Sequence, residues 1–113
     1  MVDERQVLEK IKSLVAAGQY LVKNHAHLHG IEEGFTESDM VEALAGKCRI
    51  LEHYPEVIRC LMLGYFMISR NVRAPIHLAC DYSRDDRIDI VTAYIPQKPW
   101  WLTPTIRGKK HDR

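Results

Sequence analysis

Apolar residues recur at helical spacing near the start of the chain. Val7, Leu8, Ile11, Leu14 and Val15 stand at i, i+1, i+4, i+7 and i+8, one stripe of a 3.6-residue period. The pattern predicts an amphipathic helix over residues 3–17, with Asp3 as cap and Gly18 as stop. Residues 20–23 form a short β-prone stretch, and NHAHLHGIEEG predicts a second, short helix ending near Gly34. Thr36 then opens a further helix as N-cap, with Asp39 three residues on in the capping-box position. Met40, Val41 and Leu44 supply its buried side and Gly46 ends it.

After Gly46 the period shortens to two. Residues 48–54 read as a strand, Pro55-Glu56 as a turn and residues 58–68 as a longer strand. Residues 71–74 read as a polar loop, 75–82 as a third strand, 83–86 as a turn and 87–95 as a fourth strand. Short links between successive strands imply an antiparallel meander. Pro96 and Pro99 end the sheet, Trp100-Trp101 is expected to fold back over one edge, and the tail from Thr103 to be partly disordered. The fold class is α+β in one domain spanning 1–113: N-terminal helices packed on a four- to five-stranded antiparallel sheet, with a partly flexible tail over 97–113.

Alternation within strands separates two faces. Ile76, Leu78, Cys80 and Tyr82 suit a core packed on helices, whereas His77, Ala79 and Asp81 suit an exposed or ligand-facing surface. A tight hairpin puts Arg59 on the face of His77, and a one-residue slip in register reverses that. Tyr94 and Thr92 share the alternation of Ile88 and Ile90, which predicts core packing for both.

With 113 residues, 46% hydrophobic and 27% charged, the chain has enough apolar content for one core without metal or disulfide staples. The start, MVDERQVLEK, is charged where a signal peptide has an apolar stretch, and no run is long enough to span a bilayer, so a cytoplasmic protein without membrane contact is expected. Cys48, Cys60 and Cys80 form no CxxC pair and sit in apolar surroundings, as reduced structural residues do. The net charge of +1 argues against a protein that grips nucleic acid through bulk charge, while a local basic strip can still meet phosphate. The distribution is uneven, however, with acids over residues 31–42 and Lys98, Arg107, Lys109, Lys110 and Arg113 in the tail.

Several short blocks occur in a telling order: His25-Ala26, Gly34-Phe35-Thr36, SDMVEALAG, ILEHYP, RCLMLG, PIHLAC and IVTAYIP. Together they resemble a family of small bacterial domains of unknown function allied to the BrnT and RelE-type toxins. The likeness covers roughly residues 20–96, about two thirds of the chain, and leaves out the first helix and the tail. It departs where the family often carries arginines in the histidine–alanine helix, since this chain has His29 and Glu33 there, and the loop between Phe66 and Ala74 looks longer than usual.

The resemblance implies a RelE-like outline and RNA cleavage without metal or other cofactor, in a toxin held inactive by a separately encoded antitoxin. Such cleavage needs a base for the 2′-hydroxyl proton, an acid for the leaving 5′-oxygen and a cation at the phosphate. His25 and His77 are the candidates for proton transfer, Glu52 is a further base candidate, and Arg59 is the candidate at the phosphate. Tyr94 and His29 are candidates for orienting substrate or stacking on a base.

Each residue also has a plainer role open to it. His25 can satisfy a backbone carbonyl, His77 can be a solvated strand residue, and Arg59 can bridge to Asp81 or Glu52. His25 and His29 share a helix face at i and i+4, which admits a metal, but nothing fixes a third ligand, and a solvated polar helix is the simpler reading. Of Trp100 and Trp101, at most one is expected to be exposed as a stacking platform. The leading expectation is a metal-independent ribonuclease. The alternative is a non-catalytic protein- or RNA-binding module that keeps the fold, and a small metal-binding protein is a third option.

Overall fold

A computed structural model describes residues 3–108. The fold is α+β: three helices and a five-stranded sheet of order β1-β5-β4-β3-β2. The elements are α1 (Glu4–Ala16), β1 (Tyr20–Val22), α2 (Asn24–Glu33), α3 (Glu37–Ala45), β2 (Arg49–Tyr54), β3 (Arg59–Ser69), β4 (Val72–Asp81) and β5 (Ile88–Tyr94), with a 3-10 turn at Pro55–Val57.

The helix signals act as read. The Asp3 carboxylate accepts from the Arg5 N–H and caps α1, whose Val7, Ile11 and Val15 are buried. Gly34 ends α2 in a left-handed conformation at φ 89°. Thr36 and Asp39 form a reciprocal capping box at the start of α3, which buries Met40, Ala43 and Leu44. The ammonium of Lys12 on α1 reaches the carbonyls of Leu44, Ala45 and Gly46, placing a cation at the negative end of α3.

The meander β2-β3-β4-β5 is antiparallel throughout, but the sheet is mixed. The short stretch at 20–22 pairs in parallel with β5, Tyr20 against Ile88 and Val22 against Ile90. This corrects the all-antiparallel expectation: α1 precedes β1, and the chain enters the sheet beside its last strand rather than through a hairpin. The loop expected at 71–74 is also absent. β3 and β4 run on to Ser69 and Val72, pairing Phe66 with Ala74 and Met67 with Arg73, so only Arg70 and Asn71 make the turn. Pro75 is tolerated within β4 because it lies beyond the last residue paired with β5, where the strand has one neighbour.

One sheet face carries Cys60, Met62, Phe66, Ile76, Leu78, Cys80, Ile88 and Ile90, all buried beneath the helices. Gly64 belongs to this face, and a Cβ there would lie 2.8 Å from the Ala43 carbonyl oxygen, so α3 rests directly on the β3 backbone. Cys60 and Cys80 are free and buried, Cys48 is free and half-buried, and burial pushes the Cys60 thiol up to about 12. They pack as small hydrophobes. No described helix is long and apolar enough to cross a membrane.

The opposite face is covered differently. Residues 97–108 fold back across it as a strap, closed on itself by a bridge between Trp101 and Arg107 and by the Gly108 N–H donating to the Trp100 carbonyl at 2.8 Å. The described part of the tail thus packs on the sheet, and residues 109–113 lie outside the described residues. Trp101 is buried on the sheet face, not at an edge, and Trp100 is half-buried.

Candidate functional site

The parity of β5 is what forms the site. Ala79 pairs with Thr92 but Cys80 pairs with Ile90, so Val91 is an extra residue and the strand carries a bulge. Before it Ile88 and Ile90 face the helices; after it Ala93 takes the core position and Tyr94 turns to the strap side, opposite His77. Tyr94 therefore leaves the core that simple alternation assigns to it.

Beyond β1 the edge of β5 would be open, and α2 closes it. The Val22–Asn24 link starts this cover, with the Lys23 N–H donating to the Ile90 carbonyl at 2.9 Å. The His29 Nδ1–H donates to the Ala93 carbonyl at 2.8 Å, and the Glu33 carboxylate accepts from the Ile95 N–H at 2.8 Å. Both side chains satisfy edge groups that would otherwise need water. His29 and Glu33 thus hold the helix to the sheet. One carbonyl-bound nitrogen of His29 is committed to structure.

Between α2, the strap-side sheet face and the strap lies a cavity of about 450 Å³. His25 and His29 wall it from α2, Arg59 and Leu61 from β3, Ala79 from β4, Val91, Thr92 and Tyr94 from β5, Glu52 and Tyr54 from β2, and Arg107 from the strap. Five of the six residues singled out in the sequence line this one cavity: His25, His29, Glu52, Arg59 and Tyr94. His25 is exposed, its ring edge-to-face with His29 at 4.9 Å.

His77 does not join them. It lies on the same face as Arg59, as the hairpin register predicted, but Arg59 pairs with Asp81 and His77 with Leu63. Four residues of β4 at roughly 3.3 Å each separate them. His77 is fully buried, not solvated. The Pro104 carbonyl can only accept, so His77 Nε2 donates to it at 2.7 Å, and in the neutral ring Nδ1 accepts from the Tyr94 hydroxyl at 3.2 Å. Trp101 packs edge-on against the ring, centroids 4.4 Å apart. Burial lowers the His77 pKa despite the Pro104 contact, which keeps the ring neutral. His77 pins the strap to the sheet.

Glu52 is also engaged. Arg107 grips its carboxylate in a bidentate pair at 2.8 and 2.9 Å, and the Tyr54 hydroxyl donates to the same carboxylate. The Arg107 contact, with help from Tyr54, holds the Glu52 carboxyl below its usual range. A carboxylate kept ionised and bound on both sides is a poor general base. Arg107 lies over the Trp101 ring at 4.6 Å. Arg59 bonds Asp81 through Nε at 3.1 Å while half its side chain stays exposed.

Sequence reading missed Arg107 and Tyr54 as members of the site. The alternation of Tyr54 with Glu52 on β2 was the available signal for the tyrosine; nothing local in the tail marks Arg107. His27 turns away to Glu37 at 3.5 Å, and among the described residues no three His, Cys, Asp or Glu side chains gather as a metal site would require. No protein-family profile, curated protein or solved structure matches the chain.

Proposed function

We propose that the cleft binds a phosphorylated nucleotide unit of single-stranded RNA, and that the chain acts as a non-catalytic RNA-binding module. The observation that carries this reading is the pair of guanidiniums, Arg59 from β3 and Arg107 from the strap, lining one cavity with two tyrosines. Each guanidinium has N–H groups beyond those bound to Asp81 and Glu52, and these suit phosphate oxygens, while tyrosine faces suit bases. The volume of about 450 Å³ falls in the range of small-ligand sites. Against catalysis stand the buried, doubly bonded His77 and the Arg107-bound Glu52, two of the three proton-transfer candidates, each already engaged.

A second reading is the metal-independent ribonuclease of a toxin–antitoxin module, RelE-like in outline. Exposed His25 on the wall that faces Arg59 favours it. His25 would take the 2′-hydroxyl proton as that oxygen attacks phosphorus. The P–O5′ bond would break to a 2′,3′-cyclic phosphate, with water protonating the departing 5′-oxygen. A protein antitoxin would then occlude the cleft.

Fluorescence anisotropy with a short labelled RNA, in the presence of a chelator, separates the two. Binding is expected to weaken in Arg59→Gln and Arg107→Gln, each lowering the salt slope by about 0.7. His25→Ala is expected to bind as well as wild type, with the RNA recovered intact. Cyclic-phosphate products that vanish in His25→Ala select the ribonuclease. Absence of RNA binding by the wild-type protein at low salt removes both readings.

A further inference from the structure

Most cations of the described chain are spoken for. Lys10, Lys23, Arg59, Arg84, Arg87 and Arg107 each pair with a carboxylate, and Lys12 is held by the carbonyls closing α3. Lys47, Arg49 and Arg73 make no ion pair among the described residues, and all three line a single cavity of about 350 Å³. Cys48, together with Leu63 and Tyr65 of β3 and Thr105 of the strap, completes its wall. No carboxylate lines it.

The register explains the gathering. Arg49 pairs with Leu63, Tyr65 with Pro75 and Met67 with Arg73, so alternate residues bring the arginines to the strap-side face at the outer end of the β3–β4 hairpin. Lys47 joins from the segment entering β2, which is the edge strand of the sheet. Charge on an edge strand blunts unwanted strand pairing, but charge of either sign does that. Three like charges sharing one concavity repel one another and are stabilised when an anion occupies it.

The strap divides this cavity from the first one: Arg107 faces the cleft beside Arg59, and Thr105 faces the basic cavity. Along β3 the two are centred about four residues apart, roughly 13 Å at the strand rise. We infer that the cavity of Lys47, Arg49 and Arg73 is a second phosphate site, which seats the backbone of the same RNA strand where it leaves the nucleotide cleft. The inference rests on the RNA-binding reading, and Tyr65, 40% exposed, offers the emerging strand a stacking face.

The test measures affinity for a short single-stranded oligoribonucleotide against salt, in the wild type, in Lys47→Gln/Arg49→Gln/Arg73→Gln, and in Arg59→Gln/Arg107→Gln. All three residues of the first variant are exposed, and circular dichroism checks that the fold survives. The first variant is expected to lose about 2 from the log–log salt slope, three contacts at about 0.7 each, with at least tenfold weaker binding at low salt. It is expected to leave a ribonucleoside monophosphate bound as before, since that ligand needs only the cleft. An unchanged slope with wild-type affinity overturns the second site and leaves the cleft reading standing. Loss in the first variant alone, with Arg59→Gln/Arg107→Gln binding normally, keeps the basic site and overturns the cleft. A wild-type protein that binds no RNA overturns both.

Discussion

The two faces of the sheet are sealed by different physics. The helix face closes chiefly with apolar side chains: Met62, Phe66, Ile76, Leu78, Ile88 and Ile90 lie beneath the helices, every one essentially inaccessible, with polar contacts such as Lys10 to the Tyr82 carbonyl at the margin. The strap face closes around polar pins, the His77–Pro104 and Arg107–Glu52 bonds, with Trp101, Leu61 and Leu63 buried beside them. Burial of apolar area is non-directional and scales with surface, so the first face tolerates little change anywhere. Directional contacts hold the second face at a few points and leave cavities between them, and that is where ligand chemistry has room.

The contrast can be broken from the helix face first. Leu78→Ala is expected to cost about 2–5 kcal/mol in urea unfolding, through lost burial and a cavity that the surrounding elements cannot fill. Equal stability to wild type would show that the helix face is loosely packed. Gly64→Ala presses a methyl against the Ala43 carbonyl and is expected to cost about 1–3 kcal/mol as α3 shifts. The same substitution at exposed Gly46 offers a milder control, since its nearest neighbour lies at 3.2 Å.

On the strap face the effects are smaller and depend on pH. His77 has a lowered pKa in the fold, so below its ordinary value of 6.5 the unfolded chain takes up a proton that the native state resists. Stability is therefore full above that pH and falls as pH drops from 6.5 toward the folded value. Thermal melts across this window are expected to show the loss in wild type and a reduced slope in His77→Gln; equal slopes would mean that another histidine governs the region. Hydrogen exchange is expected to place the first opening at the strap amides, ahead of β4.

Glu52→Gln is the mildest test. Its pair with Arg107 is partly exposed, so its removal is expected to cost about 0–1 kcal/mol. The Glu52 pKa is lowered, so this contribution is present above the ordinary carboxyl value of 4.5 and is lost as pH falls below it. Faster exchange at the Leu102 and Gly108 amides, with β4 unchanged, would locate the effect in the strap. Uniform acceleration would place Glu52 in the global core instead.

The helices and the meander were readable because their signals are local. Asp3, Thr36 with Asp39, and Gly34 act within one turn of their own position, and the alternation of Ile76, Leu78 and Cys80 needs no knowledge of the partner strand. The same alternation failed for Tyr94, because one extra residue at Val91 reverses every later assignment, and bulges leave no mark in composition. It also failed for His77, whose exposure depends on a segment 24 to 30 residues further along the chain, Trp101 to Arg107. The bond from His29 to the Ala93 carbonyl forms because β1 stops short of the end of β5, which no local signal in the sequence marks.

By itself the sequence determined the order of the elements, their caps and the apolar face of the sheet, since each follows from side-chain spacing and from backbone hydrogen-bonding needs within a few residues. Only the tertiary structure decided which polar residues meet. The parallel docking of β1, the bulge in β5 and the return of residues 97–108 join positions as distant as Glu52 and Arg107. Contacts of that range are set by the packing of whole elements, and one residue of register there moves a side chain from the core to the cleft.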